Sequence, residues 1–325
     1  MRPAAVALLA VLTTALALAI GLSVGATSLA PGATWRALVD RDSPGALIVR
    51  DLRLPRVLLA FVVGGGLAVS GAALQALIRN PLADPYLVGL SGGAGLGAVL
   101  AMALELPGTW AVPLAAFAGA LGAVALAYRL SVVAGRRLDP RVLLLAGVIV
   151  GAFAGAIMTT VITLSSADRL RNAFLWLLGG FSSASWDSLA LFAAYAAVPV
   201  AGLLALARPL DLLALGEEPA LALGADVEPL KRRVLLAASL LTAAGVATSG
   251  VIGFVGLVVP HAIRGLVGPL HRALLPAAFL AGGSFVVLAD AAARTVVRPL
   301  ELPVGIVTAL VGVPVFALLL RRSLR

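Results

Sequence analysis

The chain has 325 residues, 61% of them hydrophobic and only 12% charged, with a mean hydropathy of +1.09, against about 45–50% apolar and about 25% charged in ordinary soluble domains. That balance excludes water-soluble domains and leaves an all-α, polytopic integral membrane protein. The net charge of +9 sits as single or paired arginines at the ends of apolar runs, which anchors helices and builds no phosphate-binding stripe; with no cysteine, disulfides and thiolate metal sites are excluded too.

Ten apolar runs suited to crossing hydrocarbon follow in chain order, within one transmembrane domain over 1–325. They begin near Ala4, Val57, Leu87, Ala111, Val142, Leu189, Val234, Val255, Ala273 and Val304. The first is about 20 residues long, longer than the ~7–15 of a signal-peptide core, so a retained helix is favoured over a cleaved leader. The second and third are rich in small residues (GGGLAVSGAAL, SGGAGLGAVLA), which let helices approach closely in lipid. Gly93, Gly95 and Gly97 loosely echo a phosphate loop but follow no strand, so packing is the better reading. Residues 175–180 are expected to form a further half-helix. The eighth run, 255–267, is too short for a full crossing and holds Pro260 and His261, so a short, partly irregular helix shielded by neighbours is expected.

With the N-terminus in the cytoplasm, fifteen of the 24 basic residues fall on the inner side, from Arg2 and Arg79 through Arg136, Arg137, Arg141 and Lys231–Arg233 to Arg325. Nine fall outside: Arg36, Arg41, Arg50, Arg53, Arg56, Arg169, Arg171, Arg294 and Arg298. The bias toward the inside places both termini in the cytoplasm. It puts the polar insert at about 210–228 on the same side.

That insert, together with the basic residues that follow it (LDLLALGEEPALALGADVEPLKRR), holds five of the fifteen carboxylates: Asp211, Glu217, Glu218, Asp226 and Glu228. Two short helices are expected, joined around Gly216 and Pro219 and stopped by Gly224. An ordinary solvated loop is the plainer alternative. On the other side, Arg53 and Arg56 in RLPR, with Arg294, run against the charge bias. Attraction to an acidic soluble partner accounts for them, and so does snorkelling or pairing with Asp51 and Asp290.

Asp290 is the one carboxylate deep in an apolar run, with Arg294 one helical turn on, where the two can pair. A gradient-driven carrier usually shows several such acids or interrupted ion-holding helices, and no Walker A sequence is present. The work is therefore expected from a partner. An ion-gradient-driven secondary carrier is the competing class, and a membrane enzyme is weaker still because no His, Asp or Glu cluster gathers at one depth.

The strings RLPR, SGAALQALIRNPLADP, LLALG with ALALG, GVIGFVGLVVPH, HRALLP, AD before Arg294, and ELPVGIVTALVGVPVF closely resemble the FecCD-type permeases of ABC importers for vitamin B12, haem and iron-siderophore complexes. The resemblance implies a homodimer of ten-helix subunits, two cytoplasmic ATPase subunits that hold ATP and magnesium, and a periplasmic or lipid-anchored binding protein; this chain would hold no cofactor and contact lipid, not nucleic acid. By position, Arg53, Arg56 and Arg294 resemble the arginines that meet the binding protein. Leu213, Gly216, Glu217, Ala220 and Gly224 resemble the coupling helices that seat in the ATPase, and Asp139 and Pro140 the inner constriction. The chain departs from the family pattern at Pro219, at Leu270, where Asp is common, and at Asp139-Pro140, where small hydroxyl residues are common. Neither His261 nor His271 is assigned to a metal, and a structural hydrogen bond is expected at His261.

Overall fold

In lipid each apolar segment must satisfy its own N–H and C=O groups, and helices do so. A computed structural model describes residues 3–323 apart from 26, 28, 134–136 and 298, and among these every regular element is helical. Arg2, Arg136, Arg298 and Arg325, counted above in the charge bias, lie outside the described residues.

In chain order, α1 (Pro3–Ser23) and α2 (Pro31–Val39) lead through a π-helical turn (Ile48–Arg53) into α3 (Leu54–Ile78). A 3-10 turn (Pro85–Val88) opens α4 (Leu90–Ala103), followed by α5 (Ala111–Val133), α6 (Pro140–Thr163) and α7 (Ala167–Leu177). Next come α8 (Trp186–Ala205), the short α9 (Ala207–Leu215) and α10 (Glu217–Ala222), α11 (Val227–Ser249), α12 (Val255–Val267), α13 (His271–Ala293) and α14 (Val304–Ser323). The ten expected spans are α1, α3 to α6, α8 and α11 to α14. Five of them, α3, α5, α6, α8 and α13, have the length and apolarity to cross a membrane by themselves. The chain is a multi-pass membrane protein.

Helix α3 is the axis of the bundle: most of it is buried, and α8, α11, α12 and α13 surround it. Its small residues make that possible. A side chain at Gly71 would overlap the backbone of Gly256 on α12, and one at Gly64 would meet the Gly282 carbonyl on α13. Gly93 and Gly97 bring α4 against Gly119 and Ala115 of α5 in the same way. The glycine pattern is thus a packing device, as expected.

Local chemistry sets the helix ends. Asp139 caps α6, its carboxylate accepting from the Arg141 N–H at 2.7 Å, with Pro140 in the first turn. Ser185 and Ser188 form a capping box on α8. Asp84 accepts from the Tyr86 N–H at 2.8 Å to start the 3-10 turn; burial pushes its carboxyl up to about 6, opposed by that hydrogen bond.

Helix α12 differs in part from expectation. It is short, but it runs unbroken through Pro260, and the irregular backbone lies ahead of it at 250–254, where Gly250 and Phe254 have φ of 67° and 68°. Pro260 has no N–H to give the Gly256 carbonyl one turn earlier, and Gln75 of α3 supplies the missing donor: its Nε2 lies 3.3 Å from Gly256 O and 3.2 Å from Leu257 O. Residues 175–180 also differ. They form the end of α7 and then a turn through Gly179 (φ 69°) pinned to two helices, with Gly180 N–H donating to Ser249 O at 2.8 Å and Val304 N–H to Gly179 O at 2.9 Å. Those cross-chain bonds satisfy groups that a half-helix would have satisfied internally.

Gly71→Ala is expected to destabilise the protein by ~1–3 kcal/mol through overpacking, whereas Gly155→Ala, where an added Cβ meets open space, is expected to be neutral or slightly stabilising. Thermal unfolding of the two purified variants in detergent checks both.

Candidate functional site

Polar chemistry gathers at the two ends of the bundle and is sparse between them. At one end, the C-termini of α1 and α13 meet the N-terminus of α3. Asp290, 1% exposed, accepts from Arg56 Nη2 at 2.9 Å and Nε at 3.1 Å, and pairs with Arg294 Nε at 3.0 Å. Glu301 extends the network, 3.0 Å from Arg56 Nη2. Two guanidiniums bracketing one buried carboxylate leave no uncompensated acid in the apolar interior.

The structure brings Arg53, Arg56 and Arg294 together, but it turns two of them inward. Arg53 and Arg294 are only 6% and 5% exposed. Arg53 Nη1 donates to Leu22 O at 2.8 Å and Ser23 O at 3.0 Å, and its Nη2 to Thr27. Arg294 Nη1 donates to Val24 O at 2.9 Å and Nη2 to Gly21 O at 3.1 Å. Both side chains thus cap the last carbonyls of α1, where the helix dipole also favours a cation. Arg56 is the member of the three that reaches solvent. The pairing of Asp290 with Arg294 follows the i, i+4 spacing; that Arg56 joins them is visible only once α3 and α13 are packed.

A cavity adjoins this end, lined by Arg56, Asn172, Trp176, Ser182, Ser183 and Glu301 among others, with a volume of about 360 Å³.

At the opposite end, α9 and α10 form the expected pair of short helices. Gly216 joins them at φ 122° and ψ 163°, a backbone region that side chains exclude, and Gly224 stops the second at φ 84°. Two polar clasps hold the pair to the bundle. The Asp211 carboxylate accepts the His271 N–H at 2.8 Å and faces His271 Nδ1 at 2.7 Å. It thereby caps α13 from a distance, where Leu270 at the cap position has no side-chain acceptor to offer. Lys231 pairs with Glu217 at 3.1 Å.

The residues singled out in the insert divide in two. Leu213 and Ala220 are buried against the bundle, and Gly216, Glu217 and Gly224 shape and fasten the turn. The apolar surface turned to solvent belongs instead to Leu215, Leu221 and Leu223, at 65%, 56% and 62% exposed. Asp139 and Pro140 line a second cavity of about 650 Å³, shared with Arg79, Arg141, Glu217 and Lys231.

Several residues escaped the sequence reading. Lys231 lies within the run LKRR, yet Val227, Leu230, Val234, Leu235 and Ala238 share its helical stripe, a 3.6-residue pattern that separates it from exposed Arg232 and Arg233. Asp211 and Glu301 gave no local signal, since their partners lie far along the chain. His261 departs from expectation: its buried Nδ1 has no hydrogen-bond partner among the described residues. The carbonyl that Pro260 leaves without a donor is met by Gln75 instead. No group of three His, Asp or Glu that would hold a metal occurs among the described residues.

The sequence pattern of the FecCD transport family matches residues 12–322. The chain belongs to that family. A Bacillus subtilis protein named as the uncharacterized ABC transporter permease YvrB is 40% identical over 324 residues, covering 96% of this chain and 92% of its own. The cobalamin import permease BtuC of Halobacterium salinarum is 46% identical over 275 residues, covering 85% and 73%, and the hemin permease HmuU of Yersinia pestis is 44% identical over 316, covering 94% and 92%. Among solved structures, a metal-chelate type ABC transporter in an inward-facing conformation matches with a TM-score of 0.87 at 33% identity, over 96% of this chain and 97% of its own. FecCD membership accounts for the order of motifs along the chain.

Replacing Asp290 with Ala leaves Arg56 and Arg294 facing each other without their shared acid, at an expected loss of ~3–5 kcal/mol. Glu301→Gln, at the exposed edge of the same network, is expected to cost about 1 kcal/mol or less. Chemical unfolding in lipid-detergent micelles separates the two.

Proposed function

We propose that this chain is the membrane subunit of an ATP-binding-cassette importer that passes a bulky metal chelate, of the class of cobalamin, haem or an iron-siderophore complex, across the bacterial inner membrane. The carrying observation is the α9–α10 knob: clasped to the bundle by Asp211–His271 and Glu217–Lys231, it still turns Leu215, Leu221 and Leu223 to solvent. Three exposed leucines on a rigid polar end describe a docking face that a water-filled compartment would not leave bare. The occupant is an ATPase subunit, one for each of two copies of this chain, and ATP acts by favouring the arrangement in which the knob is best seated. ATP and magnesium are held there, and this chain carries no cofactor of its own.

In this reading the knob and both termini face the cytoplasm, and the Asp290 network faces the binding protein. Arg56 is the cation placed to meet an acidic lobe of that protein, while Arg53 and Arg294 hold the end of α1 that frames it. Two copies of the chain about a two-fold axis present Arg56 twice, which suits a two-lobed acidic partner. Cargo choice falls mainly to the binding protein. The names of the cobalamin and hemin relatives support the chelate class without dividing it.

Gly216→Val distorts the α9–α10 turn, and Leu221→Glu places a charge in the docking face. Each is expected to lower ATP-driven uptake in reconstituted vesicles by about tenfold or more, the effect of losing ~1.4 kcal/mol of interface, while insertion into the membrane is unchanged. Full uptake by both variants, or uptake that collapses with the proton gradient and ignores ATP depletion, overturns the reading in favour of a secondary carrier.

Arg56→Gln is expected to weaken docking of the cognate binding protein, more at low than at high salt because an exposed charge pair is screened. Surface-plasmon measurements at two ionic strengths test it, and an unchanged affinity removes the role.

A further inference from the structure

We infer that Lys231 is the positioning residue through which movement of the α9–α10 knob reaches the turn before α6, an inference that rests on the knob being the ATPase seat. Lys231 is 1% exposed, a burial that an ammonium tolerates only when it is paired and hydrogen-bonded. It makes two hydrogen bonds, to Leu138 O at 2.6 Å and Glu217 Oε1 at 3.1 Å, and an ion-pair contact with Glu228 Oε1 at 2.5 Å. These partners come from three different elements. Glu217 is the first residue of α10, Glu228 lies in the first turn of α11, and Leu138 precedes the N-cap of α6.

The Leu138 peptide is gripped on both sides. Its carbonyl accepts from Lys231, and its N–H donates to Glu228 Oε2 at 3.0 Å. One residue later Asp139 caps α6. A short polar chain therefore leads from the knob, through one ammonium, to the start of a spanning helix. Among the described residues no hydrogen bond or ion pair joins α9 or α10 directly to 137–141, so every polar route between them passes through this node.

Neutralising two glutamates would be the whole role of a merely structural lysine, and a cation anywhere near both would suffice. The observed ammonium does more, because its shortest uncharged partner is the backbone of the turn. Pulling Glu217 away removes one of two hydrogen-bond acceptors from a buried charge, and the inexpensive response is for Lys231, and with it Leu138, to follow. Beside the node lies the cavity of about 650 Å³ lined by Arg79, Asp139, Pro140 and Arg141, which gives the turn room to move. Knob and turn are thereby coupled in one step.

The chain contains no cysteine, so single cysteines at Glu218, exposed on α10 beside the docking leucines, and at Arg137 in the turn take spin labels specifically. In the assembled transporter in lipid nanodiscs, with the ATPase bound, both labels are expected to shift against a reference label on α3 when ATP is added. In Lys231→Met, the α10 shift is expected to persist while the turn shift is lost. Uptake per ATP hydrolysed should fall roughly fivefold or more, the lower end of typical coupling between sites, with ATP hydrolysis retained, and Lys231→Arg should restore part of both. A turn that moves in Lys231→Met as it does in the unaltered protein overturns the inference while leaving the ATPase seat intact. An α10 label that ignores ATP in the unaltered protein overturns the seat, and this inference with it. If Lys231→Met does not assemble, Glu217→Ala cuts the same link at its half-exposed end and is read by the same turn label.

Discussion

A helix that stops at the edge of hydrocarbon leaves its last carbonyls without donors, and the end of α1 is the place where this fold must answer that need. The donors come from other helices: Arg53, just before α3, and Arg294, just after α13, reach Gly21, Leu22, Ser23 and Val24. Charge then requires an acid, and Asp290 supplies it one turn before Arg294. Arg56 completes the set by taking the other face of the same carboxylate. One unmet requirement of backbone chemistry thus ties α1, α3 and α13 together and decides which arginine is left for solvent.

The same need explains how the interior tolerates proline and polar groups at all. Gln75 stands in for the N–H that Pro260 lacks, and its own Oε1 accepts from Arg264 at 3.1 Å. The Tyr86 hydroxyl donates to Ile252 O at 3.2 Å in the irregular stretch before α12. With those groups met, the glycine faces of α3 and α4 close to backbone contact, and packing does the rest.

Hydropathy made the ten spans legible because lipid imposes one solution on a long apolar run. The two short helices of the insert were legible for a different reason: Gly216 and Gly224 are placed where only glycine suits the backbone, and that is a local signal. Partners distant in sequence were not legible. Nothing near Asp211 announces His271, and the inward turn of Arg53 and Arg294 onto the end of α1, with Arg56 left at the partly buried edge, depends on where α1 ends. The exposure of Leu215, Leu221 and Leu223, with Leu213 and Ala220 hidden, likewise follows from which side of α9 and α10 the bundle covers. An apolar string on a short helix does not declare its face.

Between the polar ends the chain offers almost no charge with which to carry a signal, so helices themselves must connect them. Helix α13 is the best placed. Its first residue is clasped to the knob through Asp211, and its last turn holds Asp290 at the centre of the arginine network. At 23 residues it spans about 35 Å at 1.5 Å per residue, the full depth of a bilayer core, and it lies along α3 with Gly64 and Gly282 in backbone contact. In the importer proposed above, a tilt of the knob pulls on Asp211, and a helix fastened at both ends passes that tilt to the network that frames Arg56. The coupling needs no chain of charges through the membrane, because a close-packed helix with polar fastenings at each end already is one body.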